Sequence, residues 1–165
     1  LPKLSAIPED PVSLAYAPAT PKGVVDFLKA NESELRPLHL FNYYSWGGYL
    51  EWMLPGWSFF IDGRFPQMPL PHKNISYIEE YYQFLEDKES LELIAEEYRI
   101  DLILLNTNWE IQEENLPFPW NHLLPKNTAQ KSEQSDDWLY DYLLTHWEVL
   151  YSDNMSTLFR KKALQ

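Results

Sequence analysis

At 165 residues the chain suits one domain, and a domain of this length buries roughly 70% of the surface that its unfolded form exposes. A net charge of −12 weighs against nucleic acid and against electrostatic docking on anionic lipid, since both select for Lys and Arg. Without cysteine there is neither a disulfide nor a thiolate metal site, and no apolar run approaches the ~20 residues a bilayer-crossing helix needs.

Residues 1–20 carry Pro2, Pro8, Pro11 and Pro18, which disfavour helix and predict an extended, linker-like lead-in. The chain opens at Leu1 with no methionine and no signal-peptide pattern, so it reads as a piece of something longer or as a processed product. Thr20 is a good N-cap residue and Pro21 suits a first turn. Val24, Val25 and Leu28 then make the apolar stripe of a helix that ends near Asn31. A short apolar strand over 38–41 stops at Asn42. Ser45 is placed to cap a helix opening on Trp46, Gly47 and Gly48, and Pro55-Gly56 halts it. Residues 57–61 form an apolar run of buried-strand type, after which Asp62-Gly63-Arg64 turns the chain.

The clearest periodicity spans 75–85. Wound as a helix, Ile75, Tyr77, Ile78, Tyr81, Tyr82, Phe84 and Leu85 fill one half, and Ser76, Glu79, Glu80 and Gln83 the other. So wide an apolar face suits a helix laid on a sheet. A second helical segment over 90–98 points Leu91, Ile94 and Tyr98 one way, and 100–105 is a strand. Residues 107–134 hold Pro117, Pro119 and Pro125 among polar residues and predict an irregular, protease-sensitive insertion. A helix runs from Ser135 to His146 with Trp138, Leu139, Tyr142 and Leu143 inward. Two strands, 147–151 and 156–160, flank a tight turn at Asp153-Asn154. The fold class expected is α/β: one layered domain over 21–165, with a mostly parallel sheet flanked by helices and a C-terminal β-hairpin. Strands joined by helices return in parallel, and the last strand is expected toward an edge.

The candidate ligand-binding residues are Asn42, Trp46, Gly47, Gly48, Asp62 and Arg64. Asp62 and Arg64 fall where a strand gives out, the end at which α/β sheets bind ligands. The competing account is a plain turn, Asp62 accepting backbone N–H bonds and Arg64 pairing with a carboxylate. Trp46-Gly47-Gly48 follows a strand and opens a helix, where free N–H groups hold anions, but the spacing lacks GxGxxG and the glycines equally serve close packing. Asp101 opens its strand and so belongs at the opposite end of the sheet. His39, His72, His122 and His146 are too far apart in sequence to suggest a metal site, no cofactor motif is present, and no serine has a nucleophile's context. No catalytic residue is assigned. Three glycosylation sequons, at Asn31, Asn74 and Asn154, are short enough to arise by chance. The seven Trp, eleven Tyr and eight Phe are first of all packing residues, and secondly rings on which the flat, CH-rich face of a pyranose stacks.

Tyr16 to Leu28, then Leu40-Phe41-Asn42, Trp46-Gly47-Gly48-Tyr49-Leu50, Phe60-Ile61-Asp62-Gly63-Arg64, the strand at 100–105 and Trp147-Glu148-Val149-Leu150-Tyr151-Ser152-Asp153 come in an order that resembles one family. It is the soluble C-terminal domain following the multi-spanning portion of bacterial and archaeal glycosyltransferase-like membrane proteins, of the dolichyl-phosphate-mannose mannosyltransferase-like kind. The resemblance covers about 20–106 and 135–162, and departs from the pattern at 65–69 and at the long 107–134 segment. It implies an extracytoplasmic accessory domain, periplasmic or on the outer face of the cytoplasmic membrane, tethered to its own membrane-spanning portion. That portion carries the transferase chemistry, and the domain helps hold a glycan or protein acceptor. Two other readings stay open. One is an independent small α/β enzyme or ligand binder using the Asp62 crevice, and the other is a protein-interaction module working through its acidic helices and the 107–134 loop.

Overall fold

The structure, a computed structural model, describes residues 20–64, 66–107 and 138–162. The expected linker before Thr20, the start of the helix at 135–137 and almost all of the 107–134 insertion lie outside the described residues.

Helix α1 (Lys22–Ala30) buries Val24, Val25 and Leu28, as its stripe requires, and a one-turn helix α2 (Glu32–Leu35) follows it. Neither Thr20 nor Pro21 supplies a side-chain cap. The helix begins one residue later than expected, with Lys22 N–H bonded to the Thr20 carbonyl at 2.9 Å. Strand β1 (His39–Asn42) runs into a 3₁₀ turn (Tyr44–Trp46) and helix α3 (Gly47–Met53). Ser45 sits inside the 3₁₀ turn and caps nothing, because the chain is already helical when it reaches Gly47. Helices α4 (Tyr77–Glu86) and α5 (Lys88–Glu97) are separated by Asp87, whose extended backbone (φ −154°, ψ 165°) ends one helix while its carboxylate caps the next through Ser90 N–H. Ser76 and Glu79 form a reciprocal capping box at the start of α4. Strand β2 (Ile100–Asn106), helix α6 (Trp138–His146) and strands β3 (Trp147–Ser152) and β4 (Ser156–Lys161) complete the described elements.

The sheet order is β1-β2-β4-β3, with β1 and β2 parallel and both contacts of β4 antiparallel. The expectation of a mostly parallel sheet therefore fails, and so does that of an edge position for the last strand. The helix-joined strands β1, β2 and β3 do point the same way. β4, returning by a hairpin, slots between β2 and β3 and turns one would-be parallel contact into two antiparallel ones. The reason lies in its side chains: Ser156, Thr157, Leu158 and Phe159 are all buried, so this strand needs cover on both faces, whereas β3 exposes Glu148 and Val149 and tolerates an edge.

Alternate residues feed two cores. Phe41, Ile103, Leu105 and Phe159 meet α4, α5 and α6 on one face. Leu40, Leu102, Leu104 and Leu158 meet α1 and α3 on the other. Phe41 stacks on Phe84 at 3.8 Å and on Tyr81 at 5.0 Å between ring centres, so these aromatic residues serve packing. Glu80, expected on the solvent half of α4, is instead buried. It accepts a hydrogen bond from the Tyr98 hydroxyl at 2.6 Å and pairs with Lys73, which reaches Glu97 as well. Because those bonds meet both of its oxygens, the carboxylate can lie inside the fold without an unpaired charge.

The segment 57–61, expected as a full strand, makes a single parallel bridge, Leu40 to Phe59. Two residues on, main-chain pairing gives way to a side chain. The fully buried Asn42 amide donates to the Ile61 carbonyl at 2.8 Å and accepts from Ile61 N–H at 3.2 Å, so it replaces the peptide a ladder would have supplied. Asn42→Ala should strand both Ile61 groups in the interior. We expect a loss of about 2–6 kcal/mol, taking roughly 1–3 for each, read from urea denaturation with an unchanged m-value. A loss under about 1 kcal/mol would show that water or a shifted backbone replaces the amide.

Candidate functional site

Asp62 lies just past the Asn42–Ile61 contact, beyond the C-terminal end of β1. This is the same end of the sheet at which β2 finishes, since Asn42 is in register with Leu104. Asp101 stands at the other end, where its carboxylate accepts His39 N–H at 3.2 Å. At the Asp62 end the chain makes an Asx turn: Oδ1 accepts Arg64 N–H at 2.8 Å. The Arg64 guanidinium then folds back on the same side chain, with Nε 3.1 Å and Nη2 2.7 Å from Oδ2, and Nη2 also reaches Glu51 of α3 at 2.5 Å.

Gly47 makes that reach possible. A Cβ there would stand 2.5 Å from the Ile61 carbonyl oxygen and 2.8 Å from the Asp62 Cα, so a bare backbone lets α3 lie directly against residues 61 and 62. Glu51 is one helical turn beyond Gly47 and therefore faces Arg64. Sequence reasoning missed Glu51, although the i, i+4 spacing from a close-packing glycine was available as a signal. Gly48 differs from its neighbour, because a Cβ there would meet nothing within 4 Å.

Of the six residues named from sequence, then, three are interior. Asn42 holds Ile61, Trp46 is buried against the α1–α3 core, and Gly47 is covered by residues 61 and 62. Gly48, Asp62 and Arg64 reach the surface, joined by Glu51.

Electrostatics fixes what this cluster can do. The Arg64 hydrogen bonds hold the Asp62 carboxyl below the usual carboxylate range, and Asp62 in turn raises Arg64. The Tyr44 hydroxyl is pushed up, first by burial and then by the negative charge of Asp62, so it stays neutral at physiological pH. A carboxyl shifted downward is a weaker proton acceptor near neutrality, where a general base is most effective with a pKa close to the working pH. Asp62 is thus suited to receiving hydrogen bonds and ill suited to moving protons. Among the described residues no group of three or more His, Asp or Glu side chains is arranged to hold a metal ion. No described helix is long and apolar enough to cross a membrane.

The fold has a solved counterpart. It is similar to the crystal structure of the C-terminal globular domain of an oligosaccharyltransferase, AfAglB-S2, from Archaeoglobus fulgidus, with a TM-score of 0.51. The match covers 86% of this chain and 96% of that one at 11% sequence identity, so what the two share is the fold. No protein-family model matches the sequence, and comparison with curated proteins finds no match.

Asp62→Asn removes the charge that orders the turn and leaves Arg64 only Glu51. We expect a loss of about 1–2 kcal/mol, toward the lower part of the range for charged hydrogen bonds because Arg64 is exposed to solvent. The pH dependence follows from sign. Asp62 and the hairpin residue Asp153 both have folded-state pKa values below their unfolded ones. Their contribution is therefore complete above about pH 4 and disappears as pH falls through the lowered values. Thermal melts from pH 7 to 2 should show the parent losing stability along this acid limb and the Asp62→Asn variant losing less. Equal slopes would mean that the pair contributes nothing.

Proposed function

We propose that the chain is the extracytoplasmic accessory domain of a membrane-bound glycosyltransferase-like protein, helping to hold the acceptor and not itself catalytic. The observation that carries this reading is the fold shared with the C-terminal globular domain of the oligosaccharyltransferase, across nearly the whole of that domain. The order of the Asn42, Trp-Gly-Gly-Tyr-Leu and Asp-Gly-Arg motifs, which resembles domains attached to multi-spanning glycosyl-transfer proteins, supports the same reading. The chemistry of the Asp62 cluster supports the non-catalytic part. Its carboxylates are engaged by Arg64, and the lowered pKa of Asp62 makes it a weaker proton acceptor. On this reading the membrane-spanning portion of the parent protein is the domain's standing partner, and a glycan or protein acceptor its transient one.

The test uses the purified 165-residue chain with polyprenyl-phosphate- and polyprenyl-diphosphate-linked sugars and a panel of peptide and glycan acceptors. No sugar transfer is expected. Turnover that vanishes with Asp62→Ala would overturn the reading in favour of an independent enzyme. The gene offers a second check: several hydrophobic stretches of about 18 or more residues encoded upstream of Leu1 are expected, and a start codon just before it would count against an attached domain.

A further inference from the structure

Among the described tryptophans, Trp46, Trp57 and Trp147 are buried and Trp138 is partly so, but Trp52 leaves 67% of its surface exposed. An indole is the largest apolar side chain, and leaving it in water forgoes the burial that stabilises a fold. Its setting narrows what it is for. Trp52 follows Glu51 on α3, so the two side chains occupy adjoining sectors of one helix surface, about 100° and 1.5 Å apart along the axis. Glu51 is tied to Arg64 and through it to Asp62. One turn before Trp52, on the same line of the helix, is Gly48, with open space where a side chain would be. An exposed aromatic ring thus shares this short helix with a bare turn and with Glu51 of the charged cluster.

We propose that Trp52, Glu51, Asp62 and Arg64 form a platform for a hexopyranose ring. The indole takes the CH-rich face of the sugar, and the free groups of Arg64 and Glu51, held in place by Asp62, take its hydroxyls. The hydrogen-bond inventory fits. Arg64 commits Nε and Nη2, which leaves the two N–H donors of Nη1 without a described partner, and Glu51 Oε2 is likewise without one. A donor pair beside a carboxylate oxygen matches adjacent sugar hydroxyls, each of which both donates and accepts. A protein partner fits less well. Stable interfaces bury about 800 Å² on each side around an apolar centre, and Trp52 is the one large apolar side chain exposed on the described α3, bordered by charge. The cluster is held together before any ligand arrives, so binding need not order it first.

This inference deepens the accessory-domain reading by naming the class of ligand, and it is tested separately. The ¹⁵N-labelled chain is titrated to tens of millimolar with methyl α-D-mannopyranoside, methyl β-D-glucopyranoside and methyl N-acetyl-β-D-glucosaminide, with glycerol as the hydroxyl control. At least one pyranoside should move the Trp52 indole N–H resonance saturably, and glycerol should not. Trp52→Ala should weaken binding at least tenfold, Trp52→Phe should retain part of it, and Arg64→Gln should weaken it about tenfold. Because Trp52 is exposed, its variants should melt like the parent, which separates lost binding from lost folding. The proposal is overturned if no pyranoside moves that resonance, or if Trp52→Ala binds within twofold of the parent. If deleting the domain from the longer protein impairs transfer while these titrations fail, the accessory reading stands and the sugar platform falls. If sugar binds through Trp52 but deletion leaves transfer unchanged, the platform stands and the accessory reading falls.

Discussion

The Asn42 amide sets the geometry from which the Asp62 end of the molecule follows. A parallel partner for β1 would normally continue residue by residue, and the apolar run 57–61 has the composition to do so. Pairing instead lasts for one bridge, and then a buried side chain meets both polar groups of Ile61. Hydrogen bonding is conserved in number while the backbone is released from strand geometry one residue before Asp62. That release lets residues 62–64 curl into the Asx turn. It also brings the Ile61 carbonyl against Gly47, and α3 with it. A hydrophobic residue at 42 would leave two buried peptide groups unpaired, and a side chain at 47 would push α3 away. Glu51 could then no longer close on Arg64.

The second constraint is the double-faced demand of β4. Four consecutive buried residues cannot be satisfied at a sheet edge, where one side of the backbone and part of each face stay wet. Placing this strand between β2 and β3 covers it fully and leaves β3 as the edge, interrupted by a register shift between Val149 and Tyr151. The hairpin that carries the reversal is held by Asp153, which accepts Met155 N–H, Ser156 N–H and the Ser156 hydroxyl on one oxygen and the Tyr151 hydroxyl on the other. The Tyr151 hydroxyl, partly desolvated and beside that carboxylate, is pushed up to about 12 and remains a donor at any physiological pH.

How much of this was legible in the sequence depended on whether the signal was local. The stripes of α1 and α4, the strand at 100–105 and the closing hairpin are written in periodicity and turn residues, and they stand within a residue or two of their expected bounds. Strand order was not legible, because nothing local distinguishes a last strand at the edge from one inserted inward. The signal that did exist, the buried run ending in Leu158 and Phe159, is about cover and not connectivity. Glu80 shows the same limit on a smaller scale. Its helix position argues for solvent, and only the approach of Lys73 and Tyr98, 7 and 18 residues away, makes burial tolerable. At the candidate site Asp62 and Arg64 could be placed at a strand end from sequence. Asn42 could be named as a candidate, but its bonds to Ile61, 19 residues on, have no local signal.

The same distances explain why the Asp62 cluster is better suited to recognition than to reaction. A catalytic carboxylate needs either a raised pKa to carry a proton or a free lone pair aimed at the reacting atom. Burial would supply the first, yet Asp62 lies near the surface, and its strongest neighbour is a guanidinium that drives its pKa the other way. Both of its oxygens are occupied from within the same turn, Oδ1 by Arg64 N–H and Oδ2 by the Arg64 side chain. What remains presented outward is one end of a guanidinium, one oxygen of Glu51 and an uncovered indole. Together they offer donors, an acceptor and a flat apolar face, which is the vocabulary of binding.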